Sequence, residues 1–140
     1  PKLNARDWYG DNPVRIVLDQ HNRIPKENAV FDNQTKTIVF SNSENTISKE
    51  NTIFEVIDFK QNIAPKIVDS LYRHNIQSVI IEGGLQTLQT FIDANLWDEA
   101  RVFTGKTFLE KGIKAPSLPK TNSDKHTIDN DEFLIIRNHD

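Results

Sequence analysis

A short apolar run that ends in an acid and two glycines is the feature that most constrains this chain. Val79 to Ile81 is followed by Glu82-Gly83-Gly84, and apolar residues then recur at helical spacing at Leu85, Leu88, Phe91 and Ile92. The pattern predicts a buried strand over 77–82 that turns into an amphipathic helix. Glycines there let a ligand approach, and the N–H groups of a helix's first turn favour an anion such as phosphate. The same glycines could instead form only a tight turn, because a glycine pair is a weak motif.

Composition narrows the class of protein. The 140 residues are enough for one domain and too few for two of ordinary size. A net charge of −3, with no basic block, argues against nucleic acid or an anionic membrane as a partner. No apolar run reaches the roughly 18 to 20 residues of a membrane helix. Cysteine is absent, which excludes disulfides and thiolate metal sites and favours a cytoplasmic location.

The remaining periodicity predicts alternating strands and helices. Strands are expected at 14–18, 35–40, 53–59, 77–82 and 99–104, and a final hairpin at 125–129 and 132–137. One helix begins after Asn62, with an apolar stripe formed by Ile63, Ile67, Val68, Leu71 and Tyr72, and a second covers 85–92.

This order of elements predicts an α/β fold. The strands near 54 and 79 should be parallel neighbours joined by a right-handed crossover, and strand 53–59 should be covered on both faces. The fold class is therefore α/β, with a mixed sheet, a parallel centre, flanking helices and a C-terminal antiparallel hairpin.

Two acids follow predicted strands. If strands 14–18 and 77–82 are parallel, Asp19 and Glu82 lie at the same edge of the sheet, where open α/β sheets bind ligands. A half-buried Glu82 would suit a hydroxyl-rich or ribose-like ligand. The alternatives are an Asx-turn at Asp19 and a solvated residue or helix cap at Glu82.

Other kinds of site find little support. The four histidines stand at spacings that match no metal site, and no nucleophile motif is present. The sequence therefore predicts no metal and identifies no residue as a catalytic acid, base or nucleophile.

An ordered set of motifs resembles a known family. The motifs are Asn12-Pro13-Val14-Arg15-Ile16-Val17-Leu18-Asp19, then Arg23-Ile24-Pro25, then Ile80-Ile81-Glu82-Gly83-Gly84, then Leu96-Trp97-Asp98-Glu99 before a strand. Together they resemble the C-terminal reductase domain of the bifunctional riboflavin-biosynthesis deaminase/reductase, which has a dihydrofolate-reductase-like fold.

The resemblance implies an NADPH-dependent reductase of riboflavin biosynthesis. Its substrate would be 5-amino-6-(5-phosphoribosylamino)uracil, and hydride would pass from the nicotinamide to C1 of the opened sugar, giving the ribitylamino product. The protein would mainly position the two reactants.

The resemblance also implies roles for individual residues. Glu82 matches the acid that contacts the substrate, and Leu3 and Arg6 inherit substrate binding from a Pro-x-Leu-x-x-Arg segment, with Arg6 as the partner of the phosphate. The cofactor-binding positions are Gly83, Gly84, Leu85, Gln86, Thr87, Asp19 and Gln20. Gln20 stands where many members have serine, and Leu85-Gln86-Thr87 also departs from the usual pattern.

Family members carry further segments ahead of the Pro-x-Leu-x-x-Arg segment. These are a first sheet strand, a Gly-Thr loop and a zinc deaminase domain, and this sequence matches none of them. We therefore expect 1–140 to be a single, N-terminally truncated reductase domain that turns over little substrate alone. In its parent chain it would accompany a deaminase domain, and it could form a homodimer.

Two other functions stay open at this point. One is a non-catalytic nucleotide-binding or interaction domain of the same fold, which Gln20 favours slightly. The other is a related reductase that acts on a pterin or folate.

Overall fold

The computed structural model describes residues 2–5, 9–44, 50–120 and 122–138. These residues form two compact units, 1–63 and 64–140. The first unit holds a sheet and a short 3-10 helix, and the second holds most of one helix, all of another and a second sheet.

The sheet of the first unit is entirely parallel. Its strands are β1 (Arg15–Leu18), β2 (Thr37–Ser41) and β3 (Thr52–Val56), in the order β1-β2-β3. Val17 lies opposite Val39, which lies opposite Phe54 on the next strand. The strands predicted near 14–18, 35–40 and 53–59 are confirmed, and so is a parallel arrangement in this part of the chain.

The core of the first unit surrounds β2. All five residues of β2 are buried, which is typical of a central strand in a parallel sheet that is covered on both faces. Val17, Val39, Val30 and Phe31 form one cluster, and the last two lie on the 3-10 helix Ala29–Phe31, which the sequence did not predict. The expectation that strand 53–59 is covered on both faces was wrong, since every residue of β3 is partly buried or exposed.

An ion pair between the buried Arg15 and the exposed Asp32 ties the start of β1 to the segment after the 3-10 helix. Arg15 is 1% exposed, and its Nη1 donates to Asp32 Oδ1 at 2.7 Å and to the carbonyl of Ala29 at 3.0 Å. The hydrogen bond from Arg15, followed by one from the backbone N–H of Gln34, lowers the pKa of Asp32 below its ordinary value. Both contacts favour the ionised carboxylate.

The two predicted helices are confirmed as α1 (Ile63–Arg73) and α2 (Leu85–Asp93). The stripe predicted for α1 is only partly right. Ile67 and Leu71 are buried, whereas Val68 is 37% and Tyr72 is 82% exposed. The buried face of α1 also contains the small residues Ala64 and Ser70. It therefore does not coincide with the most apolar side of the helix. No helix of the described residues is long and apolar enough to cross a membrane.

The strand predicted over 77–82 was wrong. Residues 76–84 contain neither helix nor strand, and among the described residues no strand pairs with them. Val79 is 43% and Ile80 is 87% exposed. An apolar run becomes a strand only where a neighbour completes its backbone hydrogen bonds, and periodicity cannot supply that neighbour. The crossover expected between strands near 54 and 79 is therefore not observed.

The second unit ends in an antiparallel sheet of β4 (Glu99–Thr104), β5 (Ser123–Ile128) and β6 (Asp131–Arg137), in the order β4-β6-β5. Strand 99–104 and the final hairpin are confirmed. Asp129, at a φ of 52°, forms the hairpin turn without the usual glycine. Among the described residues of these strands only Ile136 is buried.

Candidate functional site

The turn that opens α2 carries the first group of predicted site residues. Glu82 is exposed, so of its two interpretations the structure shows the solvated residue and not the half-buried acid at a strand end. Gly83 has a φ of 108°, and the Gly83–Gly84 peptide bond is cis. Gly84 is the last residue before the helix, with no side chain to cap it. An exposed carboxylate and two glycines therefore stand directly before a helix N-terminus.

The two glycines differ in why a side chain is absent. A Cβ on Gly83 would lie 3.2 Å from Leu88 Cδ1, and its positive φ also disfavours any other residue. Among the residues that the structure describes, none would lie within 4 Å of a Cβ on Gly84, and its φ of −74° suits any residue. The positive φ and Leu88 explain the glycine at position 83, whereas no contact among the described residues explains the glycine at position 84.

The first turn of α2 has the electrostatics of an anion site. Helical geometry leaves the first N–H groups, at Leu85 to Thr87, without acceptors inside the helix. The first helical hydrogen bond runs from the N–H of Leu88 to the carbonyl of Gly84, at 3.1 Å. No acidic side chain lies in this turn to compete for the positive end of the helix dipole. The segment suits a phosphate or pyrophosphate group.

A side-chain amide on α2 holds the long loop between β4 and β5. The Ser117 N–H donates to Gln89 Oε1 at 2.8 Å, and Gln89 Nε2 donates to the Ser117 carbonyl at 3.3 Å. The side-chain amide of Gln89 thus both accepts from and donates to the Ser117 backbone, as the backbone of a neighbouring strand would. Sequence reasoning missed this contact, since 28 residues separate the partners and no local pattern signals it.

In the first unit, Asp19 follows β1 and is 8% exposed. Its Oδ1 accepts from the Arg23 N–H and its Oδ2 from the Ile24 N–H, each at 2.9 Å. The Asn22 N–H donates to the Asp19 carbonyl at 3.1 Å. Of the two interpretations of Asp19, the structure therefore shows the one in which its carboxylate organises the following turn.

The loops after β1 and β2 are held together. The carbonyl of Gln20 accepts from the Asn42 N–H at 3.0 Å. Asn22 Nδ2 donates to the carbonyl and the hydroxyl of Ser43, at 3.3 and 3.2 Å. Asn22 adopts a φ of 52°, a conformation that asparagine tolerates. The carboxyl edge of the parallel sheet is thus a fixed platform, with Gln20 half-buried on it.

Comparison with known proteins places this geometry in a family. A model of the RibD C-terminal domain matches residues 1–124. The chain belongs to the RibD C-terminal domain family. The resemblance inferred from the motifs is confirmed, and so is the α/β fold class, since the structural neighbours are RibD reductases.

One curated relative and two solved structures illustrate the range of RibD-like proteins. The 2,5-diamino-6-ribosylamino-4(3H)-pyrimidinone 5′-phosphate reductase of Archaeoglobus fulgidus is 25% identical over 109 residues, which cover 74% of this chain and 50% of that protein. A deaminase/5-amino-6-(5-phosphoribosylamino)uracil reductase structure from Thermotoga maritima matches with a TM-score of 0.83 and 26% identity, over 98% of this chain and 41% of the other.

The third is a riboflavin biosynthesis reductase of Saccharomyces cerevisiae, with a TM-score of 0.71 and 21% identity over 92% of this chain and 71% of the other. At that identity it supports the fold alone. The chain spans half of the archaeal relative and less of the Thermotoga protein.

The substrate-binding residues that the RibD resemblance implies are spread over both units. Leu3 is half-buried in the first unit with a φ of 48°, Glu82 lies in the second, and Arg6 lies outside the described residues. Their roles stay predictions. In the part of the chain that the structure describes, no three His, Asp or Glu residues gather as metal ligands.

Proposed function

We propose that this RibD C-terminal domain, within its full-length protein, reduces the ribosylamino group of a phosphorylated ribosylaminopyrimidine with NADPH, in riboflavin biosynthesis. The observation that carries the proposal is the turn at Glu82–Gly84, where the chain leaves open space beside a helix N-terminus, in a domain whose relatives are named reductases. A cytoplasmic location belongs to the same proposal and is supported by the absence of cysteine.

In this proposal the cofactor-binding residues belong to two segments, one in each unit. The first turn of α2, at Gly83, Gly84 and Leu85 to Thr87, holds a phosphate group with backbone N–H groups, and the platform after β1 supplies Gln20. NADPH, when bound, supplies the hydride that reduces C1 of the opened sugar. The residues bind and orient the reactants, which is the main contribution a protein makes to hydride transfer.

The substrate lies beside Glu82 in this proposal. An exposed carboxylate directly before the glycines accepts hydrogen bonds from sugar hydroxyls, since an ionised carboxylate is an acceptor only. Arg6 pairs with the phosphate of the substrate through its guanidinium. Leu3 is the third residue of this proposal that binds the substrate.

The pyrimidine ring has two candidate forms. We propose 5-amino-6-(5-phosphoribosylamino)uracil, the compound in the name of the Thermotoga protein. The archaeal relative is named for a 2,5-diaminopyrimidinone, which keeps an amino group where the uracil has a carbonyl. Because the two relatives are 26% and 25% identical to this chain, the second compound is a specific rival.

The test uses the protein expressed over its full coding length. NADPH oxidation is followed by absorbance with each of the two pyrimidines and, as a control, with a dihydropterin. We expect oxidation with the uracil, slower oxidation with the diaminopyrimidinone and none with the pterin. Light scattering of the same sample measures whether it is a homodimer, and assay of the diaminopyrimidinone without NADPH measures deamination by a second domain.

Two results contradict the proposal. Tight NADPH binding without oxidation by either pyrimidine indicates a binding domain that does not transfer hydride. Faster oxidation with the diaminopyrimidinone reverses the assignment of the substrate and leaves the reaction class in place.

A further inference from the structure

We infer that Asp19 is a positioning residue for the cofactor, which fixes the turn at 20–24 and does not itself contact NADPH. The inference rests on the proposed function and changes the role that the family resemblance implies for this residue. Asp19 was expected among the cofactor-binding residues. The geometry points to an indirect role, exerted through the loop that carries Gln20.

The first support is how the carboxylate is used. Each oxygen of Asp19 accepts one backbone N–H, from Arg23 and from Ile24, and both distances are 2.9 Å. The residue is 8% exposed. Each oxygen keeps a second lone pair, but both are already held by the turn and the residue exposes little surface to a ligand.

The second support is what the turn is attached to. At one end, the Asp19 N–H donates to the carbonyl of Phe40 at 2.9 Å, which extends the pairing of β1 with β2. In the middle, Gln20 and Asn22 bond to the loop after β2. Asp19 thus closes a turn whose other contacts already fix it to the carboxyl edge of a buried sheet.

The third support is that the turn needs two acceptors. Asparagine at this position offers one acceptor oxygen, and its NH₂ group would face the second backbone donor. One backbone N–H in a part-buried site would then lose its partner, which is the costly way to break a hydrogen bond. Asp19→Asn therefore loosens the turn while changing the side-chain shape very little.

The experiment compares Asp19→Asn with Asp32→Asn in the full-length protein. Asp32 pairs with Arg15 at the start of β1, whereas Asp19 follows its end, so the control changes one carboxylate in the same unit at the other end of the strand. NADPH and pyrimidine are varied separately in steady-state kinetics. Thermal unfolding is recorded for both variants, and hydrogen exchange is measured at the Arg23 and Ile24 amides.

For Asp19→Asn we expect the KM for NADPH to rise about tenfold, as a lost buried hydrogen bond predicts. The KM for the pyrimidine and kcat at saturating NADPH should stay at wild-type values, and exchange at the two amides should accelerate. Asp32→Asn should lower the unfolding midpoint and leave the KM for NADPH unchanged. Asn22→Gly, which keeps the backbone conformation and removes the bonds to Ser43, should raise the same KM by less.

The outcomes separate the inference from the proposed function. An unchanged KM for NADPH in Asp19→Asn, in a wild-type background that oxidises NADPH, overturns the inference alone. Equal increases in Asp19→Asn and Asp32→Asn overturn it too, because general destabilisation then explains the effect. If Asp19→Asn does not fold, Asn22→Gly provides the test. A raised KM for NADPH in that variant then supports the inference, and an unchanged KM overturns it. A wild-type protein that oxidises no NADPH overturns the proposed function and the inference with it.

Discussion

β2 and β6 are the central strands of two three-stranded sheets, and they differ sharply in burial. All five residues of β2 are buried, whereas Ile136, which is 9% exposed, is the one buried residue of β6 among the residues described. β2 lies between parallel partners and β6 between antiparallel ones. Parallel sheets are stable when both faces are covered, and antiparallel sheets tolerate one face in water.

The two predicted parts of the cofactor site differ in the same way. The turn at 19–24 grows from the buried sheet, and backbone and side-chain hydrogen bonds fix it. The turn at 82–84 follows an irregular segment with Ile80 at 87% exposure, and its glutamate is exposed. The first part is fixed by hydrogen bonds within the chain, whereas the second is exposed and has no described residue within 4 Å of a Cβ on Gly84.

The largest expected effect tests the difference between the central strands. Phe40→Ala in β2 should lower the free energy of unfolding by about 4 kcal/mol, because Phe40 is completely buried and its removal leaves a cavity. Phe133→Ala in β6 should lower the free energy of unfolding by about 1 kcal/mol. The loss is mainly that of stacking on Phe103, whose ring centroid lies 4.5 Å from that of Phe133. Urea unfolding followed by circular dichroism measures both. Equal losses would mean that burial does not separate the two sheets energetically.

The next prediction separates the two glycines. Gly83→Ala should destabilise the protein by about 1 to 2 kcal/mol, since a φ of 108° strains any L side chain and Leu88 lies 3.2 Å from the new methyl group. Gly84→Ala should leave the unfolding midpoint unchanged, because no described residue lies within 4 Å of the new Cβ, and should raise the KM for NADPH. Matched thermal melts and kinetics decide this. An unaltered KM in a stable Gly84→Ala protein would remove Gly84 from the cofactor site.

A smaller effect follows from pH. The hydrogen bond from Arg15 lowers the pKa of Asp32 below its ordinary value of 3.8, so the folded protein releases this proton more easily than the unfolded chain. The resulting stabilisation is present above about pH 3.8 and disappears as pH falls through the folded-state pKa. The stability gap between the wild type and Asp32→Asn should therefore narrow with falling pH. A gap that stays constant from neutral pH to pH 3 would contradict this.

The smallest effect belongs to the exposed sheet. Lys125 forms an ion pair with Glu132 between β5 and β6, and the lysine side chain is 67% exposed. Water and salt screen such a pair, and ordering two long side chains offsets the attraction. Lys125→Ala should leave the unfolding midpoint within experimental error at physiological salt. A clear loss would show that this sheet depends on charge more than its exposure suggests.

Local patterns predicted most elements of the fold. Strand 99–104 and the start of α1 at Ile63 agree with the structure, because apolar spacing, turn residues and a helix cap are local signals. The strand at 77–82 failed because strand formation depends on a partner elsewhere in the chain. The buried face of α1 was misplaced because Ser70 is buried and Tyr72 is exposed, which hydrophobicity alone does not indicate.

The sequence predicted the positions of the candidate site residues better than the contacts that these residues make. The Glu82-Gly83-Gly84 motif identified the turn before α2, and the Asx-turn alternative anticipated the bonding of Asp19. The sequence does not show that Gly83 and Gly84 differ in their surroundings. The structure does, because Leu88 lies close to a Cβ on Gly83 and no described residue lies within 4 Å of a Cβ on Gly84. The link between Asn22 and Ser43 joins loops that no sequence pattern connects.

The hydrogen bonds between Gln89 and Ser117 also divide the long loop between β4 and β5 into two shorter closed loops. One runs from Thr104 to Ser117, and the other from Ser117 to Ser123, where β5 begins. Loop-closure entropy grows only with the logarithm of length, so added residues near Phe108 lengthen the first closure at little thermodynamic cost. That segment is therefore a suitable place to insert an epitope or a fluorescent label without disturbing the second unit.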